Sequence, residues 1–408
     1  MQSVQHATRN TRNTRNVIVL SICQALFNSG RTLGFIAASL VSIAMLGDNL
    51  TFVTAPVTMM LIGTAAGTLP SAYLMRMLGR KSGFVIGSVV GAVGSAVAAY
   101  AVASGSFALF NLGLFLFGLY GGTAQQYRFA AADVAPEHIK AKSVSIVIAM
   151  GVVGAVVGPE TTLMTKHLLG SVPFEGTFWT LMLFCLLAAV IVLGVDIPKL
   201  TRAEYRETGR PLGRIIAIPT FVVALIAALF GYAIMNLLMT ATPVTMRVAT
   251  FTDNHIVRVI QWHVFGMFAP GFFTGALIRR FGVVRTIITG SVLLLCSVVV
   301  ALAGNSFSHF LAALFLLGVG WNFTFTGGTV LVTEVHTPSE RAKVQGMNDF
   351  ILFTGLAISS LSAGVIYYFM GWLWVNLATM PMILAVLLSA VWLRSIRRKQ
   401  QADAYAVE

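Results

Sequence analysis

Two ionisable side chains, Arg31 and Glu160, lie deep inside long apolar runs of this chain. A charge in hydrocarbon is expensive, so each is a functional candidate. Counted from the basic edge of its run, Arg31 is about 14 residues in, roughly 21 Å, and Glu160 about 17 residues in, roughly 25 Å. A carboxylate at that depth can carry a proton as its surroundings alternate, or it can simply reach water. Arg128 keeps its charge, so its chemistry is to anchor a polar or anionic solute or to pair with an acid, Asp133 or Asp349. Asp133 and Glu334 occupy matching places near the ends of two runs. With Asp349, Arg76, Arg80 and Arg341 they form a candidate gate network, whose alternative is a set of solvated helix ends.

Uncharged polar residues recur at helical spacing. Gln24, Asn28 and Arg31 follow at steps of four and three, as do Tyr232, Asn236 and Thr240 at steps of four, and Asn322, Thr326, Thr329 and Thr333 share a third face. Thr123, Gln126 and Tyr127 stand close together in a fourth run. Tyr127 and Trp321 have the planar rings to stack on a planar solute, or to pack. Other chemistry finds little support. There is no GxSxG, HExxH or P-loop motif, and of seven His only His263 is well inside a run. Cys23, Cys185 and Cys296 have no CxxC or metal-ligand spacing. No enzyme, resident metal or cofactor is expected.

The elements that must position these residues follow from composition. Of 408 residues, 57% are apolar and 10% charged, and mean hydropathy is +0.84. Soluble domains carry about 25% charged residues, so most of this surface has lipid as its solvent. Apolar runs broken by Gly, Pro and charge predict spans near 17–46, 52–75, 82–103, 107–134, 143–169 and 178–195, then 218–250, 256–278, 286–303, 308–335, 344–369 and 374–394. The expected organisation is a tail over 1–16, six helices over 17–195, a basic linker over 196–217, six helices over 218–394 and a tail over 395–408.

The formal net charge of +13 is a topology signal. Arg9, Arg12 and Arg15; Arg76, Arg80 and Lys81; Lys140 and Lys142; Lys199, Arg202, Arg206, Arg210 and Arg214; Arg279, Arg280 and Arg285; Arg341 and Lys343; and Arg394, Arg397, Arg398 and Lys399 all fall on alternate connections. The positive-inside rule makes those connections and both termini cytoplasmic. Charge spread over seven short segments does not make a nucleic-acid surface.

The chain is also duplicated. Residues 114–142 match 314–343, with Gly118 against Gly318, Asp133 against Glu334, Pro136 against Pro338 and Lys142 against Lys343. Arg76-Met77-Leu78-Gly79-Arg80-Lys81 after span two is echoed by Arg279-Arg280-Phe281-Gly282 after span eight. Two such halves joined by a basic loop resemble the major facilitator superfamily over the whole chain. That family usually has an acid where Arg76 and Arg279 stand, so one gate contact is altered here. Gly154-x-x-x-Gly158-Pro159 is similar to the family's antiporter motif, though small residues at that spacing also serve plain helix packing.

The resemblance implies an all-α membrane protein, twelve transmembrane helices in two pseudo-symmetric six-helix bundles around a central cavity lined by spans one, four, seven and ten. It makes spans one and five neighbours, so an Arg31 to Glu160 ion pair is one specific hypothesis, with Glu160 reaching periplasmic water as its alternative. It implies a monomeric secondary transporter working by alternating access in a bacterial inner membrane. Its partners are a small solute, the bilayer and protons. The segments 126–133, Gly320-Trp321-Asn322-Phe323 and Gly327-Gly328-Thr329 look like a proteobacterial permease subgroup that includes riboflavin importers. Proton-coupled uptake of riboflavin or a similar planar compound is the reading this favours. Proton-coupled efflux of a drug or metabolite is the alternative.

Overall fold

The computed structural model describes residues 2–46, 52, 55–169, 172–197 and 209–405. Lys199, Arg202 and Arg206 of the basic linker lie outside the described residues, as do the side chains of Arg9 and Arg12. Among the described residues the regular structure is helical throughout. In lipid every backbone N–H and C=O needs a partner within the protein, and a helix supplies it within one segment.

The helices are α1 (Gln2–Leu46), α2 (Ala55–Leu78), α3 (Arg80–Ser104), α4 (Phe107–Ala124), α5 (Tyr127–Val134), α6 (Lys140–Ala149), α7 (Gly151–Thr165), α8 (Glu175–Ile191), α9 (Leu212–Ile216), α10 (Pro219–Val248), α11 (Asp253–Phe268), α12 (Gly271–Phe281), α13 (Val283–Ala303), α14 (Phe307–Glu334) and α15 (Arg341–Tyr405). Ten stretches are long and apolar enough to cross a bilayer unaided. The last of them, Arg341–Asp403, contains Gly371 at φ 78°. This left-handed backbone divides it into two crossings. Helices α11 and α12 together make the remaining one, broken at Pro270, which has no N–H to donate. Twelve crossings result, each near its expected place. The ends differ because helices run on past the apolar segment: α1 begins at Gln2 and α15 ends at Tyr405.

The chain forms two compact units, one of Met1–Gly209 with Thr337–Ala357, the other of Arg210–His336 with Ile358–Glu408. In the first, α4 packs on α2 and α3, while α1 packs on α7 and α8. In the second, α14 packs on α13, α10 and α11. Close approach in both depends on matched glycines. A Cβ on Gly118 would stand 2.2 Å from the Met60 carbonyl oxygen, and one on Gly318 would stand 2.5 Å from that of His263. The turns after spans two and eight repeat as well: Gly79 and Gly282 both have φ 89°, a conformation that costs a residue with a Cβ dearly. The duplication read in the sequence is thus present in the backbone.

Rings fill the first unit, with Phe27 edge-on to Tyr120 at 5.3 Å and Phe84 tilted on Tyr127 at 4.5 Å. Large apolar side chains such as Leu163, Met164, Val190, Tyr368 and Phe369 are exposed, as a lipid-facing surface requires.

Candidate functional site

One end of the first unit gathers the charged residues. Gly79 ends α2 and turns the chain so that Arg80 opens α3. The Arg80 guanidinium is buried and donates to Asp133 at the end of α5 and, at 2.9 Å, to Gln345 Oε1. Arg341 Nε lies 3.3 Å from the other oxygen of Asp133. One carboxylate therefore serves two guanidiniums, and Arg76 lines the cleft beside them. Of the six residues of the candidate gate network, Asp133, Arg80 and Arg341 meet here.

Arg128 and Asp349 form a second buried pair. Arg128 Nη2 donates to Asp349 Oδ1 at 2.5 Å and Nη1 donates to Gln125 Oε1 at 3.1 Å. Asn348 Nδ2 adds a bond of 3.0 Å to the same carboxylate oxygen. Of the two partners weighed for Arg128, Asp349 is the one it meets; Asp133 is taken by Arg80. A cation this deep is tolerable because its anion and two amides are equally deep.

Glu334, matched to Asp133 by the repeat, has a different partner. It accepts from Arg397 Nη2 at 2.7 Å, both side chains 35% exposed. The cause lies in the duplicated turn: Gly79 is followed by Arg80, whereas Gly282 is followed by Val283, so no arginine opens α13. The tail of α15 supplies one instead. Exposed pairs contribute about 0–1 kcal/mol. Glu334→Gln is therefore expected to move the midpoint of chemical unfolding by less than 1 kcal/mol equivalent, and a larger drop would mean that Glu334 does more than pair with Arg397.

Spans one and five touch, yet the Arg31 to Glu160 pair is not made. Contact runs through Gly154, where a Cβ would lie 2.7 Å from the Asn28 backbone, and through Gly158, where it would lie 2.7 Å from Thr32 Cβ. Glu160 is two residues beyond Gly158, about 200° round the helix, and is exposed. Arg31 instead lines a small cavity with Phe27, Thr64, Phe117, Gln125 and Phe353. Gln24 and Asn28 are buried in the same helix, and Asn28 Nδ2 has no hydrogen-bond partner among the described residues.

In span four, Thr123 fits against Gly87, where a Cβ would meet it at 2.5 Å. Tyr127 is fully buried, its ring on Phe84 and its hydroxyl 3.5 Å from that of Tyr120. Both belong to the packing of the unit, and Tyr127 has no open face for a solute. Gln126 is 1% exposed, lines the cleft beside Arg76 and Arg80, and leaves its Nε2 without a partner among the described residues.

In the second unit the rings of spans seven and ten converge. Trp321 stacks on Phe325 at 4.8 Å and takes Tyr232 and Phe268 edge-on at 5.2 and 5.6 Å. Its indole N–H has no partner among the described residues, and neither does the Thr326 hydroxyl. Asn236 donates to Ser359 Oγ at 3.1 Å. Asn322 is committed to structure: it accepts from Thr274 Oγ1 at 2.7 Å and donates to the Met267 carbonyl at 2.6 Å.

Sequence reasoning passed over Gln345 and Asn348. Their signal was present, because Gln345, Asn348 and Asp349 fall at helical steps of three and four and so share one face of α15.

The family model of the Major Facilitator Superfamily matches residues 20–269 and 259–407. Riboflavin transporter RfnT of Brucella anthropi is 39% identical over 386 residues, 94% of this chain and 97% of that one. The uncharacterized MFS-type transporter YdeG of Bacillus subtilis is 30% identical over 370 residues, 86% of each chain. Among solved structures, the proton:xylose symporter XylE superposes with a TM-score of 0.76 at 13% identity, covering 95% of this chain and 96% of that one. The human organic anion transporter MFSD10 gives 0.75 at 14% identity, covering 93% and 99%. Identities this low bear on the fold alone.

Proposed function

We propose that this chain, which belongs to the Major Facilitator Superfamily and is a multi-pass membrane transporter of a small solute, takes up riboflavin or a similarly planar polar compound. The observation that carries the proposal is the 39% identity to a riboflavin transporter across nearly the full length of both chains. The largely buried ring cluster of Tyr232, Phe268, Trp321 and Phe325, whose indole N–H and neighbouring Thr326 hydroxyl have no hydrogen-bond partner among the described residues, supports it as a surface that a planar solute would meet once the cluster opens. In this reading Asn236 is a further solute-facing residue of the second unit, and Gln24, Asn28 and Arg31 are the solute-facing residues of the first. The basic connections orient the protein in a bacterial inner membrane with both termini in the cytoplasm.

Uptake is proton-coupled in the same proposal, with Glu160 as carrier. Asp133, Asp349 and Glu334 are each held by arginine. Glu160 is the carboxylate inside a span that no basic side chain pairs among the described residues. Uptake of labelled riboflavin into proteoliposomes with an imposed inward proton gradient tests both parts. Saturable uptake is expected. Trp321→Ala should reduce it at least tenfold, and Glu160→Gln should abolish gradient-driven accumulation while leaving riboflavin exchange intact. No riboflavin uptake by active protein would end the substrate assignment. Full accumulation by Glu160→Gln would end the coupling assignment alone.

A further inference from the structure

The turn that joins α12 to α13 carries three exposed arginines, Arg279, Arg280 and Arg285. They continue the faces that these helices show to lipid. On α12, Phe272 and Phe273 are each 52% exposed, and Ala276, Arg279 and Arg280 follow on that face at steps of three and four. On α13 the exposed residues Arg285, Thr289, Val292, Cys296 and Val299 follow one another at steps of four and three. Neither stripe carries a charge until it reaches the turn. None of the three arginines is paired with an acid among the described residues. The described acids of the second unit are Asp253, which opens α11 at the other end of that crossing, Glu334, which holds Arg397, and Asp403 in the last turn of α15.

The matching turn of the first unit is built the other way round. With Gly79 set against Gly282, Arg80 stands where the second turn has buried Val283, and Met77 stands where it has Arg280. Arg80 is 7% exposed and bonded to Asp133, whereas Met77 is 67% exposed. The first turn thus sends Arg80 into the protein and an apolar side chain towards the lipid. The second sends valine inward and arginine outward.

We infer that the α12–α13 turn binds the headgroup of an anionic phospholipid, whose phosphate joins Arg279 and Arg280 at the end of α12 to Arg285 in the first turn of α13. The paired N–H groups of a guanidinium match phosphate oxygens, and basic side chains at the membrane surface attract anionic lipids. Phe281, 47% exposed between the two arginine positions, offers the same lipid an apolar contact. The counter-charge that Asp133 supplies within the first unit comes from the membrane in the second, whichever solute is carried.

The test is thermal unfolding of the purified full-length protein in phosphatidylcholine nanodiscs in which an increasing share of the lipid is phosphatidylglycerol, at constant ionic strength. The midpoint should rise and saturate. The triple variant Arg279→Gln, Arg280→Gln, Arg285→Gln should need at least ten times the phosphatidylglycerol for half the rise. Arg394→Gln, Arg398→Gln, Lys399→Gln removes as much charge from the end of α15 and should respond as the parent does. Midpoints equal to the parent's in pure phosphatidylcholine verify that the variants fold. Should the triple variant fail that check, Arg280→Met, which installs the residue of the first turn, decides the matter with an expected loss of at least threefold. No saturable rise, a rise that the arginine variants keep, or an equal loss in the α15 variant overturns the inference. So does a rise produced by inorganic phosphate in pure phosphatidylcholine with the same dependence on the variants, which would make the turn a site for soluble anions.

Discussion

Asp349→Asn and Arg128→Met should each lower the unfolding free energy of the detergent-solubilised protein by about 3–5 kcal/mol, because each leaves a buried charge without its counterpart. The double variant Arg128→Met with Asp349→Leu should recover most of that loss, since replacing both members of a buried pair by apolar groups is often neutral. Asp349 is fully buried, and Arg128 is 3% exposed. Solvent therefore cannot stand in for the missing partner. Denaturant titration followed by circular dichroism reads the effect. Single variants within 1 kcal/mol of the parent would mean that water or lipid headgroups solvate the survivor, and the pair would lose its structural role.

The second large effect is expected at the matched glycines. Gly118→Ala drives a methyl group to 2.2 Å from the Met60 carbonyl oxygen, and Gly318→Ala drives one to 2.5 Å from that of His263. Both obstacles are backbone, so helices must move apart, and overpacking of this kind costs about 1–3 kcal/mol or more. Gly364→Ala is the control. Nothing lies within 4 Å of its Cβ, and alanine is favoured over glycine in a helix by about 1 kcal/mol. Opposite signs at Gly118 and Gly364 are therefore expected in thermal unfolding. Equal and small effects at both would mean that α2 and α4 do not approach as closely as described.

The fold was legible in the sequence because lipid imposes a coarse rule: twenty apolar residues, then a break. The break at Gly371 and the turns at Gly79 and Gly282 were readable for the same reason. Side-chain partners were less legible. Periodicity puts Asn322 and Thr326 in one polar stripe of span ten, but α14 is buried all round from Gly320 to Thr333. A helix without a solvent face gives no sign of which polar residues bond neighbours. Asn322 turned out to hold Thr274 and Met267, while Thr326 kept an unused hydroxyl. Arg31 and Glu160 agreed in depth, yet depth carries no angle. Gly154 and Gly158 fix the contact between their helices, and Glu160 points away from it. The partners of Asp133 and Glu334 diverged through one residue after a glycine, Arg80 against Val283. The repeat alone did not reveal that difference.

The Arg128–Asp349 bridge also has a consequence for biosynthesis. Its members are 221 residues apart in the chain. At the usual 5–20 residues per second, a ribosome needs about 11 to 44 s to deliver the acid after the base. Through that interval the nascent first bundle carries a cation at a place where the finished protein excludes solvent. It must leave α5 undocked, admit water, or borrow an anion from the membrane until Asp349 arrives. Completion of the first bundle is thus a late event in translation, set by a residue from the other end of the gene.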